Sequence, residues 1–212
     1  MSTISILGSG RVASVLAGKL ASCGHDLRIG SRDPAAAAAK WTGPAVTHAD
    51  PREAARAAPI VINATPGDSA LARLSALRAE LDGKILVDIS NATTRGADGM
   101  PAGLCYPGSS LAEQLQQALP GTRVVKTLNT MLFTVMAAPE SLGSPASVFV
   151  SGNDEDARAA VAGLLGDLGW PAQWICDLGD ITSARATEAL VLMVPHLLRR
   201  YGMKPFALTV AR

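Results

Sequence analysis

A chain of 212 residues with 48% hydrophobic and only 17% charged side chains can bury a large core, which excludes a disordered protein. Its formal net charge of +1 gives no electrostatic pull towards nucleic acid or a lipid surface. Cys23, Cys105 and Cys176 are an odd, widely spaced set without a Cys-x-x-Cys pair, so they imply reduced thiols and neither a disulfide framework nor a metal site.

Strand-like and helix-like segments then alternate. "TISIL" (Thr3–Leu7) is short and β-branched, and Val12–Cys23 places apolar residues at helical spacing. Asp26–Gly30 resumes strand character. Pro34–Trp41 reads as a short helix capped by Asp33, with Pro in its first turn. Val46–His48 is a brief third strand, and Asp50 caps a helix over Pro51–Ala57. "IVINATP" (Ile60–Pro66) is an apolar strand ending in turn residues, Asp68–Leu81 is helical, and "KILVDIS" (Lys84–Ser90) is another buried strand. An irregular loop, Asn91–Pro107, leads to a helix from Ser109 to Leu119 and a sixth strand at Arg123–Leu128. Ala146–Gly152, Asp154–Leu168 and Ala172–Gly179 form a further β-α-β unit. A long helix over Thr182–Tyr201 and a closing strand at Phe206–Ala211 complete the pattern.

Near-continuous apolar strands separated by helices predict an α/β fold, Rossmann-type and doubly wound, with a mainly parallel sheet. No linker or repeat divides residues 1–212, so one domain is expected, with residues 146–212 as a small C-terminal α/β extension. The chain opens on a strand without a basic, cleavable leader, and no apolar run reaches the ~18–20 residues of a membrane span, so a cytoplasmic location away from membranes is expected. The apolar stretch Leu190–Leu198 suggests a homodimer.

Gly8-x-Gly10-x-x-Ala13 lies between the first strand and the first helix. Gly8 permits a tight turn, Gly10 lets the backbone approach a pyrophosphate, and Ala13 allows the helix to pack on the strand. The phosphates would meet free N–H groups at a helix N-terminus. At the end of the second strand a carboxylate would bond the ribose 2′-hydroxyl of NAD and repel a 2′-phosphate. Here Ser31 and Arg32 stand instead, a hydroxyl and a planar cation that suit a phosphate dianion, which points to NADP(H).

"GSGRVASVLAGKLASCGHDLRIGSRDP", "INATP", "VVKTLNTM", "VSGNDEDARAAVAGLLGDLGW" and "DLGDITSARATEALVLMVPHLLRRYGM" carry a resemblance to the coenzyme F420-dependent NADP oxidoreductases. The resemblance spans nearly the whole chain. It implies that Gly8, Ser9, Gly10, Arg11 and Val12 hold the pyrophosphate and that Ser31 and Arg32 hold the 2′-phosphate. It further implies that Thr65 and Pro66 line the dinucleotide cleft, with Asn91 and Ala92 towards the nicotinamide. Asn129, Thr130 and Phe133, within Asn129–Thr134, flank that ring, and Phe206 and Ala207 close the deazaflavin side. The chain departs from archaeal members in its "NTM" and in the Met100–Gly108 loop, which leaves the second substrate open.

The reaction so implied is hydride exchange between NADP(H) and coenzyme F420, or a flavin such as FMN, as a small-molecule redox carrier. Such chemistry needs distance, orientation and a dry pocket, and no catalytic side chain is assigned. His25, beside Gly24, is expected to cap a helix; His48 is expected near the surface, and His196 in a structural place on the long helix. Lys126 could reach an acidic substrate group or form a salt bridge at a strand end, and Glu188 could pair with Arg185 or orient something in the cleft. Trp170 and Trp174 read as core. An imine or pyrroline-carboxylate reductase shares the N-terminal pattern but usually adds a long helical dimerisation domain, for which little chain remains after Gly179. A redox-sensing NADP(H)-binding protein without turnover is the third reading.

Overall fold

The apolar, β-branched runs pair side by side into an eight-stranded sheet in the computed structural model, which describes residues 1–210. The elements of its first half are β1 (Thr3–Leu7), α1 (Arg11–Ser22), β2 (Asp26–Gly30), α2 (Pro34–Ala39), β3 (Thr47–Ala49), α3 (Pro51–Ala57), β4 (Ile60–Asn63), α4 (Gly67–Ser75), α5 (Arg78–Leu81) and β5 (Ile85–Asp88). The second half contains β6 (Thr93–Arg95), β7 (Pro101–Leu104), α6 (Leu111–Ala118), β8 (Arg123–Thr127), β9 (Val148–Gly152), α7 (Glu155–Asp167), β10 (Ile175–Asp177), α8 (Ala184–Ala189) and α9 (Val194–Tyr201). Side chains set several helix starts. Asp33 accepts from the Ala36 N–H at 2.9 Å, Asp50 from Arg52 and Glu53, and Asp154 from Ala157.

The strand order is β10-β9-β8-β5-β4-β1-β2-β3. Neighbours are parallel except β8 and β9, where Val125 faces Gly152 and Thr127 faces Val150 in antiparallel register. The chain starts mid-sheet at β1, winds out to β3, and returns across β1 to β4. That reversal opens a crevice beyond the carboxyl ends of β1 and β4, where open α/β sheets take their ligands. Alternation along the strands divides the core between the two faces. Ile4, Ile6 and Ile29 pack under α1 and α7, while Leu7, Val61, Leu86 and Val124 pack under α3, α4 and α6. Each fully buried Leu or Ile contributes about 1.5–3 kcal/mol, and both layers are built from such residues.

Several expected elements differ. The loop Asn91–Pro107 contains a two-stranded antiparallel ribbon, β6 with β7, which an apolar pattern could not announce because Thr93 alone among its residues is buried. The helix expected over Asp68–Leu81 is broken into α4 and α5. The helix expected over Thr182–Tyr201 is interrupted by a 3-10 turn at Leu190–Met193, just before Pro195 enters the first turn of α9. No strand forms within Phe206–Val210; Ala211 lies outside the described residues. The segment runs back over the loop before β9, where Leu132 N–H donates to Phe206 O at 3.0 Å and Ser147 N–H to Leu208 O at 2.8 Å. Among the described residues no helix is long and apolar enough to cross a membrane.

Candidate functional site

The turn from β1 to α1 is made by Gly8, Ser9 and Gly10 alone. Gly8 has φ +120°, and a Cβ there would stand 2.6 Å from the Ala64 carbonyl oxygen, so only glycine fits. Gly10 has an ordinary φ of −85°, and nothing lies within 4 Å of where its Cβ would be. No side chain caps α1, so its first N–H groups and the positive end of its dipole face that open space.

From this turn a cavity of about 240 Å³ runs sideways to the ends of β2 and β3, lined in part by Ser9, Ser31, Arg32, Lys40, Trp41 and His48. Ser31 is 7% exposed, and its hydroxyl is buried without a partner. A buried hydroxyl without a partner is costly, which fits a site built to receive a polar group. Asp33, the one carboxylate of this rim, is engaged in capping α2. The pocket therefore presents serine hydroxyls and two cations, Arg32 and Lys40, a donor set that fits a phosphate.

Across the crevice Asn63, ending β4, accepts from Thr65 N–H and from Thr65 Oγ1 at 2.6 Å, which fixes the turn that carries Pro66. Asn91 and Asn129 form a reciprocal pair. Asn91 Nδ2 donates to Asn129 O at 2.8 Å, and Asn129 Nδ2 donates to Asn91 Oδ1 at 3.0 Å. Ala92 is buried behind them. Leu128 enters this corner with φ 60°, a left-handed conformation few non-glycine residues adopt, while its side chain stays in the core. Thr130 has a buried, unpartnered hydroxyl. It borders a narrow recess lined by Leu190, Val191, Val194, Leu197 and Phe206. At about 10 Å³ this recess holds no more than a water, so it is a wall and not a ring site. The Arg11 guanidinium lies 5.3 Å over the Phe133 ring, joining the glycine turn to this wall.

Beneath the strand ends lies a buried ionic network. Lys126, 1% exposed, donates to Asp88 Oδ2 at 2.8 Å, to Glu188 Oε1 at 2.7 Å and to the Ser90 carbonyl. Burial alone would lower the Lys126 pKa, but the two carboxylates outweigh it and hold it raised. Asp88 also accepts from Asn63, and Glu188 accepts from the Leu111 and Ala112 N–H groups at the start of α6. The network thus ties together the elements that carry Thr65, Asn91 and Asn129.

Gly8, Ser9, Gly10, Arg11 and Val12 stand at one end of β1, with Ser31 and Arg32 beside them after β2; Thr65, Pro66, Asn91, Ala92, Asn129, Thr130 and Phe133 follow β4, β5 and β8 along the same edge. Phe206 and Ala207 reach that edge through the Leu132–Phe206 hydrogen bond. Other expectations need correction. Glu188 pairs with Lys126, while Arg185 bonds Glu113 instead. His25 caps no helix; its Nε2 lies 3.1 Å from Asp167 Oδ2. His48 does stand near the surface, half-buried on the short edge strand β3, though both its ring nitrogens are buried, and His196 is exposed. Trp170 is core, its Nε1 donating to Met136 O, while Trp174 packs edge-on at 6.3 Å and is only half-buried. Among the described residues no group of three or more His, Cys, Asp or Glu side chains could hold a metal.

Residues 3–92 match the family described as NADP oxidoreductase, coenzyme F420-dependent. A solved structure from Arthrobacter sp. FB24, described as a candidate F420-dependent NADP reductase, is 41% identical, with a TM-score of 0.92 and 100% of each chain covered. The F420-dependent NADP reductase of Methanocaldococcus jannaschii is 28% identical over 156 residues, 72% of this chain and 68% of that protein. Metalloreductase STEAP3 of Rattus norvegicus is 30% identical over 189 residues; these are 89% of this chain, which spans only 36% of that protein.

Proposed function

This chain belongs to the family of coenzyme F420-dependent NADP oxidoreductases, and from that premise we propose that it transfers hydride between NADP(H) and a flat, conjugated carrier, a deazaflavin such as coenzyme F420 or a flavin such as FMN. The observation that carries this reading is the cavity joining the glycine turn to Ser31 and Arg32, with its buried, unpartnered hydroxyl. Gly8, Ser9, Gly10, Arg11 and Val12 would hold the pyrophosphate on the first N–H groups of α1. Ser31 and Arg32 would hold the 2′-phosphate. Thr65 and Pro66 would border the cleft, and Asn91, Ala92, Asn129, Thr130 and Phe133 would surround the nicotinamide, with the Thr130 hydroxyl free to take its carboxamide. When bound, the nicotinamide supplies the hydride. The protein's part is to hold the ring so that an acceptor carbon can lie about 3–3.5 Å away, and to exclude water. Phe206 and Ala207 would close the acceptor side. The likeness to STEAP3 covers too little of that protein to bring metal reduction to this chain.

Two measurements test the reading. Arg32→Ala should weaken NADPH binding about 10- to 150-fold in a fluorescence titration while leaving NADH unchanged. Equal losses for both cofactors would refute the 2′-phosphate assignment. NADPH should be oxidised when coenzyme F420 is added, and less rapidly with FMN or riboflavin. Deuterium at the transferred position of NADPH should appear on the reduced ring. Rapid turnover of a cyclic imine, with every deazaflavin and flavin inert, would replace this function by imine reduction. Tight NADPH binding without turnover on any acceptor would leave a sensor.

A further inference from the structure

His48 is the central residue of β3, in register with Ile29 of β2. Its ring meets Trp41 edge-on at 6.2 Å, and both ring nitrogens are buried without a hydrogen-bond partner. Two unpartnered nitrogens on one imidazole forfeit what water would give them, and a folded chain rarely retains that without use. The cavity that His48 lines also contains the Ser31 hydroxyl, equally buried and unpartnered. With about 240 Å³, the cavity has room for a phosphoryl group and attendant waters.

We propose that His48 is a specificity-determining residue for the ribose 2′-phosphate of NADP(H), donating to it as the imidazolium, with Lys40 as a second cation of the same pocket. Choosing NADP(H) over NAD(H) is then coupled to uptake of a proton. This rests on the NADP(H) reading above and adds two residues to it.

The ionisable groups facing His48 across the cavity are Arg32 and Asp33, from the turn after β2, and Lys40, which follows α2; α1 contributes Ser14 and β2 contributes Ile29. The Asp33 carboxylate is taken up by the Ala36 N–H. Burial lowers the pKa of His48 in the free protein and so disfavours the charged ring there. A phosphate dianion at the ring favours the charged form and raises the pKa in the complex. The sign follows by linkage. Below the free-protein pKa the ring is charged in both states and its contribution is constant. As the pH rises towards the bound-state pKa, affinity for NADPH falls by up to about tenfold per pH unit, while affinity for NADH does not. The second ionisation of the phosphate itself, near pH 6, acts in the opposite direction. The comparison must therefore be between variants with one ligand.

Wild type, His48→Gln, His48→Phe and Lys40→Ala would be titrated with NADPH and NADH between about pH 6 and 8.5, with calorimetry in buffers of differing ionisation enthalpy to count protons. On NADPH, wild type should take up approaching one proton more than His48→Gln. His48→Gln should bind NADPH about tenfold more weakly near pH 6.5 and NADH unchanged. His48→Phe, which keeps a ring against Trp41, should show the same loss. Lys40→Ala should cost NADPH about threefold at every pH, less in high salt. If the His48 variants do not fold, the imidazole resonances of wild type decide: 2′,5′-ADP should raise the pKa of His48, and 5′-AMP should not. Unchanged proton uptake and cofactor ratio in His48→Gln overturn the role of His48, as do equal losses for both cofactors or equal shifts with both adenosine nucleotides. A wild type with no preference for NADPH, indifferent to Arg32→Ala, overturns the underlying NADP(H) reading instead.

Discussion

Gly10→Val should yield a folded protein that melts close to wild type yet binds NADPH at least about 100-fold more weakly. The backbone at Gly10 is in an extended conformation open to any residue, and no atom lies within 4 Å of the new Cβ. The side chain therefore costs the fold nothing and instead fills the space through which a pyrophosphate must approach the N–H groups of α1. The neighbouring glycine makes the internal contrast. Gly8→Val would put a Cβ 2.6 Å from Ala64 O at φ +120°, and should lose stability and binding together. Circular dichroism with a cofactor titration separates the two. A folded Gly10→Val variant that still binds NADPH tightly would remove the glycine turn from the site.

Lys126→Met should destabilise the protein by about 3–5 kcal/mol, because it strands the Asp88 and Glu188 carboxylates in the interior. At this chain length that corresponds to a melting temperature lowered by roughly 6–20 °C. Lys126→Met combined with Asp88→Asn and Glu188→Gln should recover part of the loss, since no charge is left stranded and the new amide oxygens can still accept from the Asn63 side chain and from one of the two α6 N–H groups. Thermal denaturation of the two variants checks it. A single variant melting within about 2 °C of wild type would show that the network carries no such stake.

The parts of the fold legible in the sequence are those dictated by neighbours in the chain. Thr3–Leu7 and Asp26–Gly30 form strands with the expected bounds because apolar, β-branched runs between turn residues leave little else to form. Asp33 and Asp50 cap their helices because an acceptor before Pro at the first helical position has a local partner. What stayed hidden is set over distance. Lys126 and Glu188 are 62 residues apart, and no spacing rule couples a mid-strand lysine to a glutamate on a later helix. The β6–β7 ribbon buries only Thr93 and carries Pro and Gly, so it lacks strand character of its own. Phe206–Val210 has the composition of a strand, yet its partners are loop residues Leu132 and Ser147. For the candidate site, the glycine turn and Ser31–Arg32 could be found by motif. His48 could not, since a lone histidine in a three-residue strand gives no hint of the cavity it lines.

The left-handed backbone at Leu128 bears on any attempt to retarget the acceptor by randomising the loop after β8. At φ 60° a β-branched side chain is sterically excluded, and only Gly or Asn adopts such a backbone readily. The same residue is 3% exposed, so either of those choices empties a filled place in the core. A mutagenesis library across Asn129–Thr134 should therefore leave Leu128 untouched. Diversity spent there would return mostly unfolded clones, while its neighbours explore new acceptors on a fixed hinge.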